Sequence, residues 1–155
     1  MTEPSTTGLE NVPLFAGLTP AALELLLDLG QEFVYDPGTT IFEHQAEGQT
    51  LFVLLEGRVR IAREVPGRSE ELLLILERGA VFGEMALVDG AAGSGTARAQ
   101  DHCRVIGFER TAFDDLLLMR QDLAIEILWN LVRILCGRLR DTNDRLCLLA
   151  ASTGT

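Results

Sequence analysis

The chain has 155 residues, about one domain's worth, and 47% of them are hydrophobic, which excludes a disordered chain and suffices for a real core. Its formal net charge of −10 argues against a duplex-binding surface, so no DNA partner is expected, while one pocket can still differ in sign from the whole. No apolar run approaches a membrane span, and the opening MTEPSTTG lacks the basic start and apolar core of a secretory signal, so a cytoplasmic protein without membrane contact is expected.

In chain order, residues 1–8 are polar and read as a flexible tail. Residues 9–30 read as a short helical piece and then a helix. Thr19 is placed to cap it, Pro20 suits its first position, Leu23, Leu26 and Leu27 recur at helical spacing, and Gly30 ends it. From 31 to 109 the period changes. The runs QEFVYD, TTIFEH, TLFVLLEG, RVRIARE, ELLLILERG, TARAQ and CRVIGFE are separated by Gly or Pro breaks, the pattern of an antiparallel roll or sandwich. Glu56-Gly57 reads as a tight hairpin between two of these strands. ELLLIL is too short for a stable helix and is bracketed by turn signals, so it reads as a strand.

Residues 110–149 read as helical. FDDLLLMR forms one helix, with Asp114 and Asp115 placed at its start in favourable dipole positions. A second helix over 122–149 carries Ile125, Leu128, Val132, Leu135, Leu139, Thr142, Leu146 and Leu149 at alternating steps of three and four. That is a heptad seam, and it implies a two-stranded contact with a second copy or with a partner protein. Residues 150–155 form a tail. Cys103, Cys136 and Cys147 have no zinc-ligand spacing and read as buried, reduced thiols. His44 and His102 are single, and the serines sit in no nucleophile-elbow context. No catalytic set, metal site or cofactor is expected, and the chain is not read as an enzyme.

The informative stretch is GAVFGEMALVDGAAGSGTARA, residues 79–99. Phe82 ends an apolar strand and Gly83 permits a tight turn. Glu84-Met85-Ala86-Leu87 would form one helical turn facing a Gly-rich loop, an arrangement whose free N–H groups can cradle a phosphate. Phe82, Gly83, Glu84, Ala86 and Leu87, followed by a short loop and the strand TARAQDHCRVIGF, resemble the phosphate-binding cassette of the cyclic-nucleotide-binding domain family, of which catabolite activator proteins are members. LENVPLFAGLTPAALELLLDL resembles that family's N-terminal helices, and PGTTIFEHQAEGQTLFVLLEGRVRIA its first strands. The resemblance covers residues 9–149. It implies an α+β fold: an antiparallel β-roll of the double-stranded β-helix or jelly-roll type, with N-terminal helices and a long C-terminal helix.

It also implies site residues. Glu84 would accept a hydrogen bond from the ribose hydroxyl, the charged acceptor making the stronger bond. The backbone N–H groups of Ala86 and Ser94 would hold the cyclic phosphate, with Gly83 and Met85 in the turn. Thr142 and Asn143 hold the positions that contact the base in the family's bacterial activators. One departure stands out. The cassette arginine that pairs with the phosphate falls on Gly93, and no Lys or Arg lies between Glu84 and Thr96. Removing one partner of a buried charged pair costs about 2–5 kcal/mol, a loss of about 30-fold to several-thousand-fold. Arg98, about 13 Å further along a strand than Ser94, is too far away to substitute. Two functions are therefore carried forward. The first is a sensor of cAMP, cGMP or another small anion that signals through its last helix. The second is a degenerate domain that binds no cyclic nucleotide and serves as an interaction and dimerisation module. Only about six residues follow Leu149, so no DNA-reading domain is expected in the chain as given.

Overall fold

The computed structural model describes residues 8–42, 50–63, 67, 71–83 and 96–153. Two 3-10 turns, Leu9–Asn11 and Pro13–Phe15, lead into helix α1, Pro20–Leu29. Thr19 Oγ1 accepts a hydrogen bond from the Ala22 N–H at 3.2 Å, which satisfies one of the orphan donors of the first turn. Gly30 closes α1 in an extended conformation, with φ at −79°. Its lack of a side chain serves packing: a Cβ there would lie 2.5 Å from Ile106 Cγ2.

The strands follow as β1 (Gln31–Tyr35), β2 (Thr40–Phe42), β3 (Thr50–Glu56), β4 (Val59–Arg63), β5 (Glu71–Leu76), β6 (Val81–Phe82), β7 (Thr96–Ala99) and β8 (Cys103–Glu109). Among the described residues they make two four-stranded antiparallel sheets, ordered β1-β8-β3-β6 and β2-β7-β4-β5. ELLLIL is β5, as its turn-bracketed length implies.

The hairpin expected at Glu56-Gly57 does not form. β3 pairs with β6 and β8, whereas β4 pairs with β5 and β7, so the chain changes sheets at this point. A second crossing, at 100–102, returns it from β7 to β8, and the two corners are locked together. The Gln100 N–H donates to the Arg58 carbonyl at 2.9 Å, the Cys103 thiol donates to the same carbonyl at 3.0 Å, and the Arg58 guanidinium forms a two-pronged pair with Asp101. Gly57, at φ +86°, fits only as glycine, because a Cβ would sit 2.3 Å from the His102 carbonyl oxygen.

The period-two alternation of strands divides the core into two layers. Phe52, Leu54, Val59, Phe82, Ala97 and Val105 face the space between the sheets. Leu51, Val53, Leu55, Ile106 and Phe108 face the other way and pack under the helices. Both faces of β3 are thus covered, which is why TLFVLL reads as a continuous apolar run rather than an alternating one.

Helix α2 spans Arg110–Met119 and helix α3 spans Gln121–Thr153. Because α2 begins at Arg110, Asp114 and Asp115 fall in its second turn and not at its start. Asp114 instead lies 3.8 Å from Arg110, one turn back. α3 docks on the roll through Leu123, Ile127, Asn130 and Leu131. It continues past Leu149, where the tail was expected to begin, and from Leu139 to Ser152 every residue is exposed. About 20 Å of helix therefore stands clear of the roll. Only Cys103 of the three thiols is buried. Cys136 and Cys147 lie exposed on α3, so the expectation of three buried thiols is corrected. No described helix is long and apolar enough to cross a membrane.

Candidate functional site

The loop singled out by the sequence connects β6 to β7. Glu84, Met85, Ala86, Gly93 and Ser94 lie outside the described residues; the segment's two anchors lie within them. At the first anchor β6 pairs with β3, Phe52 opposite Phe82 and Val53 opposite Val81, and the two phenyl rings stack at 5.1 Å. Gly83 follows at φ +84°, where a Cβ would lie 2.5 Å from the Thr50 carbonyl oxygen. The chain can leave the sheet at that angle and that closeness only with glycine. At the second anchor Thr96, Ala97, Arg98 and Ala99 form β7, with the two alanines turned into the roll.

Arg98 points the other way. Its Nε donates to Thr40 Oγ1 at 3.3 Å, and its cross-strand neighbour on β4 is Arg60. The guanidinium thus lies on the face of β7 opposite the two inward-facing alanines.

The structure adds a residue that the sequence reading missed. Arg138 of α3 reaches the β6 strand and donates through Nη2 to the carbonyl of Val81. Partial burial lowers its pKa from the ordinary guanidinium value, though a guanidinium stays charged in a protein. A positive charge is thereby held three residues before Glu84. The signal that could have found it is a second stripe on the last helix. Leu123, Ile127, Leu131 and Ile134 recur at steps of four and three and pack against the roll, and one further step of four lands on Arg138.

Thr142 lies one turn beyond Arg138 and donates its hydroxyl to the Arg138 carbonyl at 2.9 Å. Asn143 is the next residue, about 100° further round the helix. The two expected base contacts are both exposed and do not share a face.

Near its start α3 makes a second polar attachment. The Asn130 amide donates to the carbonyls of Leu14 and Ala16 at 3.0 and 2.9 Å and accepts from Arg133 Nη1 at 2.9 Å. The N-terminal 3-10 turn and the β6 strand are therefore both fastened to one helix. A cavity opens among the described residues beside α3. It measures about 230 Å³ and is bounded by Leu14, Leu51, Phe113, Leu117, Leu128 and Leu131, between the second 3-10 turn, β3, α2 and α3. Among the described residues no group of His, Cys, Asp and Glu could hold a metal ion.

Two antiparallel sheets, short N-terminal helical turns, a Gly-initiated loop between β6 and β7 and a long last helix tied to the strand before that loop together make a β-roll of the catabolite-activator type. The family model for the cyclic nucleotide-binding domain matches residues 32–120, and the chain belongs to that family. It is similar to a cyclic AMP receptor protein of Thermus thermophilus, 34% identical over 138 residues that cover 89% of this chain and 62% of that protein. The crystal structure of the Thermus thermophilus catabolite activator protein superposes with a TM-score of 0.76 at 34% identity, covering 89% of this chain and 63% of that one. A mouse cGMP-dependent protein kinase 2 is 31% identical over 117 residues, which cover 70% of this chain and 15% of the kinase. The chain thus spans about three fifths of the length of its bacterial relative, and its relatives carry names from both the cAMP and the cGMP branches of one regulatory family.

Proposed function

We propose that the chain is a sensor of a purine cyclic nucleotide, cAMP or cGMP, which binds in the 83–95 loop and reports through α3. The observation that carries this reading is the Arg138 hydrogen bond to Val81, because it joins the reporting helix to the strand that leads into the loop. In this reading Glu84 takes the ribose hydroxyl, the N–H groups of Ala86 and Ser94 take the phosphate, and Met85 and Gly93 shape the turn. Arg138 supplies the positive charge that Gly93 cannot, since a partly desolvated guanidinium attracts an anion more strongly than an exposed one. Thr142 faces the base from the same side of α3 as Arg138, and Asn143 faces away from it. α3 also pairs with a second copy. Its exposed end, Leu139 to Ser152, is short enough to be only marginally stable as an isolated helix, and it carries Leu139, Leu146 and Leu149 on one side.

Calorimetric titration with cAMP and with cGMP tests the reading. Binding in the micromolar range is expected, abolished by Glu84→Ala and weakened by about 30-fold or more by Arg138→Met. Binding that Arg138→Met leaves unchanged would remove Arg138 from the site. The absence of heat at millimolar nucleotide would favour the second reading, an interaction module without nucleotide, which rests on the missing cation between Glu84 and Thr96.

A further inference from the structure

The exposed face of α3 has a specific geometry. In heptad terms Ile125 and Val132 are a positions and Leu128 and Leu135 are d positions. Branched residues at a with leucine at d favour two parallel strands. Ile125, Leu128 and Val132 are each about half exposed or more although they lie beside the roll, so this upper stretch of the seam is open along with the free end.

Trp129, the single tryptophan of the chain, is an e position and is 60% exposed. Arg133 covers one part of its ring at 5.9 Å. In a parallel pair an e residue lies beside the g residue five positions earlier on the other helix, which here is Ala124. The g side of α3 is the side on which the cavity opens, since Ile127, Leu128 and Leu131, a c, a d and a g position, form its α3 wall. Leu128 belongs at once to the seam and to the cavity, so the cavity continues the seam sideways toward α2.

We infer that in the self-paired molecule Trp129 of the partner subunit seats in this cavity, against Leu117 and Leu128, and that each roll is completed by one indole from the other copy. An indole is compatible in size with a cavity of about 230 Å³ lined mainly by leucines, with Phe113, Ile127 and the Arg110–Asp114 pair completing its wall. The contact is isologous, so one residue type fills both cavities. This inference rests on the self-pairing proposed above and not on nucleotide binding.

The test uses the full chain over a dilution series from about 1 to several hundred micromolar, with sedimentation equilibrium and tryptophan fluorescence read on the same samples. As the dimer fraction rises, emission should move to shorter wavelength and quenching by acrylamide should fall several-fold. A dimer whose tryptophan stays as accessible to acrylamide as the monomer's overturns the seating while leaving the pairing intact. A monomer at every concentration overturns both, whatever the nucleotide titration gives. Trp129→Ala should weaken the dimer by about tenfold or more. In a Leu117→Ala background that loss should shrink, because the wall that the indole touches has been cut back. Fully additive effects of the two substitutions would overturn the assignment even where both variants fold and pair.

Discussion

At the scale of single residues, the polar groups that matter most are those with more than one bond to lose. Asn130 is 5% exposed, and its amide satisfies two carbonyls at the end of the second 3-10 turn. Truncation to alanine leaves those carbonyls without their donor, and a buried unsatisfied group costs about 1–3 kcal/mol. We therefore expect Asn130→Ala to lower unfolding stability by about 2 kcal/mol. Asn130→Asp should lower it further, because a carboxylate would face two carbonyl oxygens in place of an amide donor. Urea titration with linear extrapolation reads both values. An aspartate variant as stable as the wild type would show that the 3-10 turn is held by its apolar packing alone. Asn130 and Arg138 also mark the limit of what could be read from the sequence. Each is a polar residue on the roll-facing stripe of α3, and the choice of partner, a carbonyl more than 50 residues away in both cases, depends on tertiary structure.

At the scale of elements, the legible features were those with a strong period or a strong terminator. α1 was readable from Thr19, Pro20 and its leucine spacing, and the strands from short apolar runs between Gly and Pro breaks. The pairing of β3 and β4 was not. A two-residue Gly-containing link looks alike whether the strands on either side pair or part, and only the second corner at 100–102 decides that they part. The start of α2 was misjudged because Glu109, which precedes it, makes no side-chain cap, and Asp114-Asp115 attracted attention one turn too late. In the cassette, Gly83 was readable as a turn, whereas Arg138 was passed over because a cation was sought only in the loop. The last helix has two apolar stripes, and the sequence reading used only the outward one. Its free end yields a separate expectation. A chain ending after Leu139 should keep the thermal midpoint of the roll within a few degrees, because no residue from 140 to 152 is buried, while self-association in sedimentation weakens as the seam loses its free half. A large drop in the midpoint on truncation would mean that the roll depends on the pairing for its own stability.

For the molecule as a whole, closure of the roll depends on corners where the chain changes sheets, and an ion pair spans two of them, at 57–58 and 100–102. Arg58 holds the Asp101 carboxyl below its ordinary range, through a hydrogen bond first and through charge as well. A carboxylate whose pKa is lower folded than unfolded adds stability that is present above the unfolded value and is lost as pH falls through the folded one. The pair should therefore help closure at pH 7 and cease to help once the pH has fallen well below the ordinary aspartate range. The difference in urea midpoint between the wild type and Arg58→Met, measured at both ends of that window, is expected to narrow on acidification. An unchanged difference would mean that Arg58 acts through its packed stem and not through its charge.

α3 is a single helix of 33 residues, and among the described residues its polar fastenings to the roll, at Asn130 and Arg138, lie in its N-terminal part and at its middle. Asn130 and Arg138 are about 12 Å apart along the axis, while the last exposed residue, Ser152, is about 33 Å from Asn130. Treated as a rod on a fulcrum, the helix magnifies displacement roughly threefold: a shift of about 1 Å at the Arg138 fastening becomes about 3 Å at the tip. That is more than half a helical turn of rise, enough to unseat a side chain packed between two helices. A domain whose internal rearrangement on taking up a small ligand is slight can thus deliver a movement of mechanical size to whatever grips its far end.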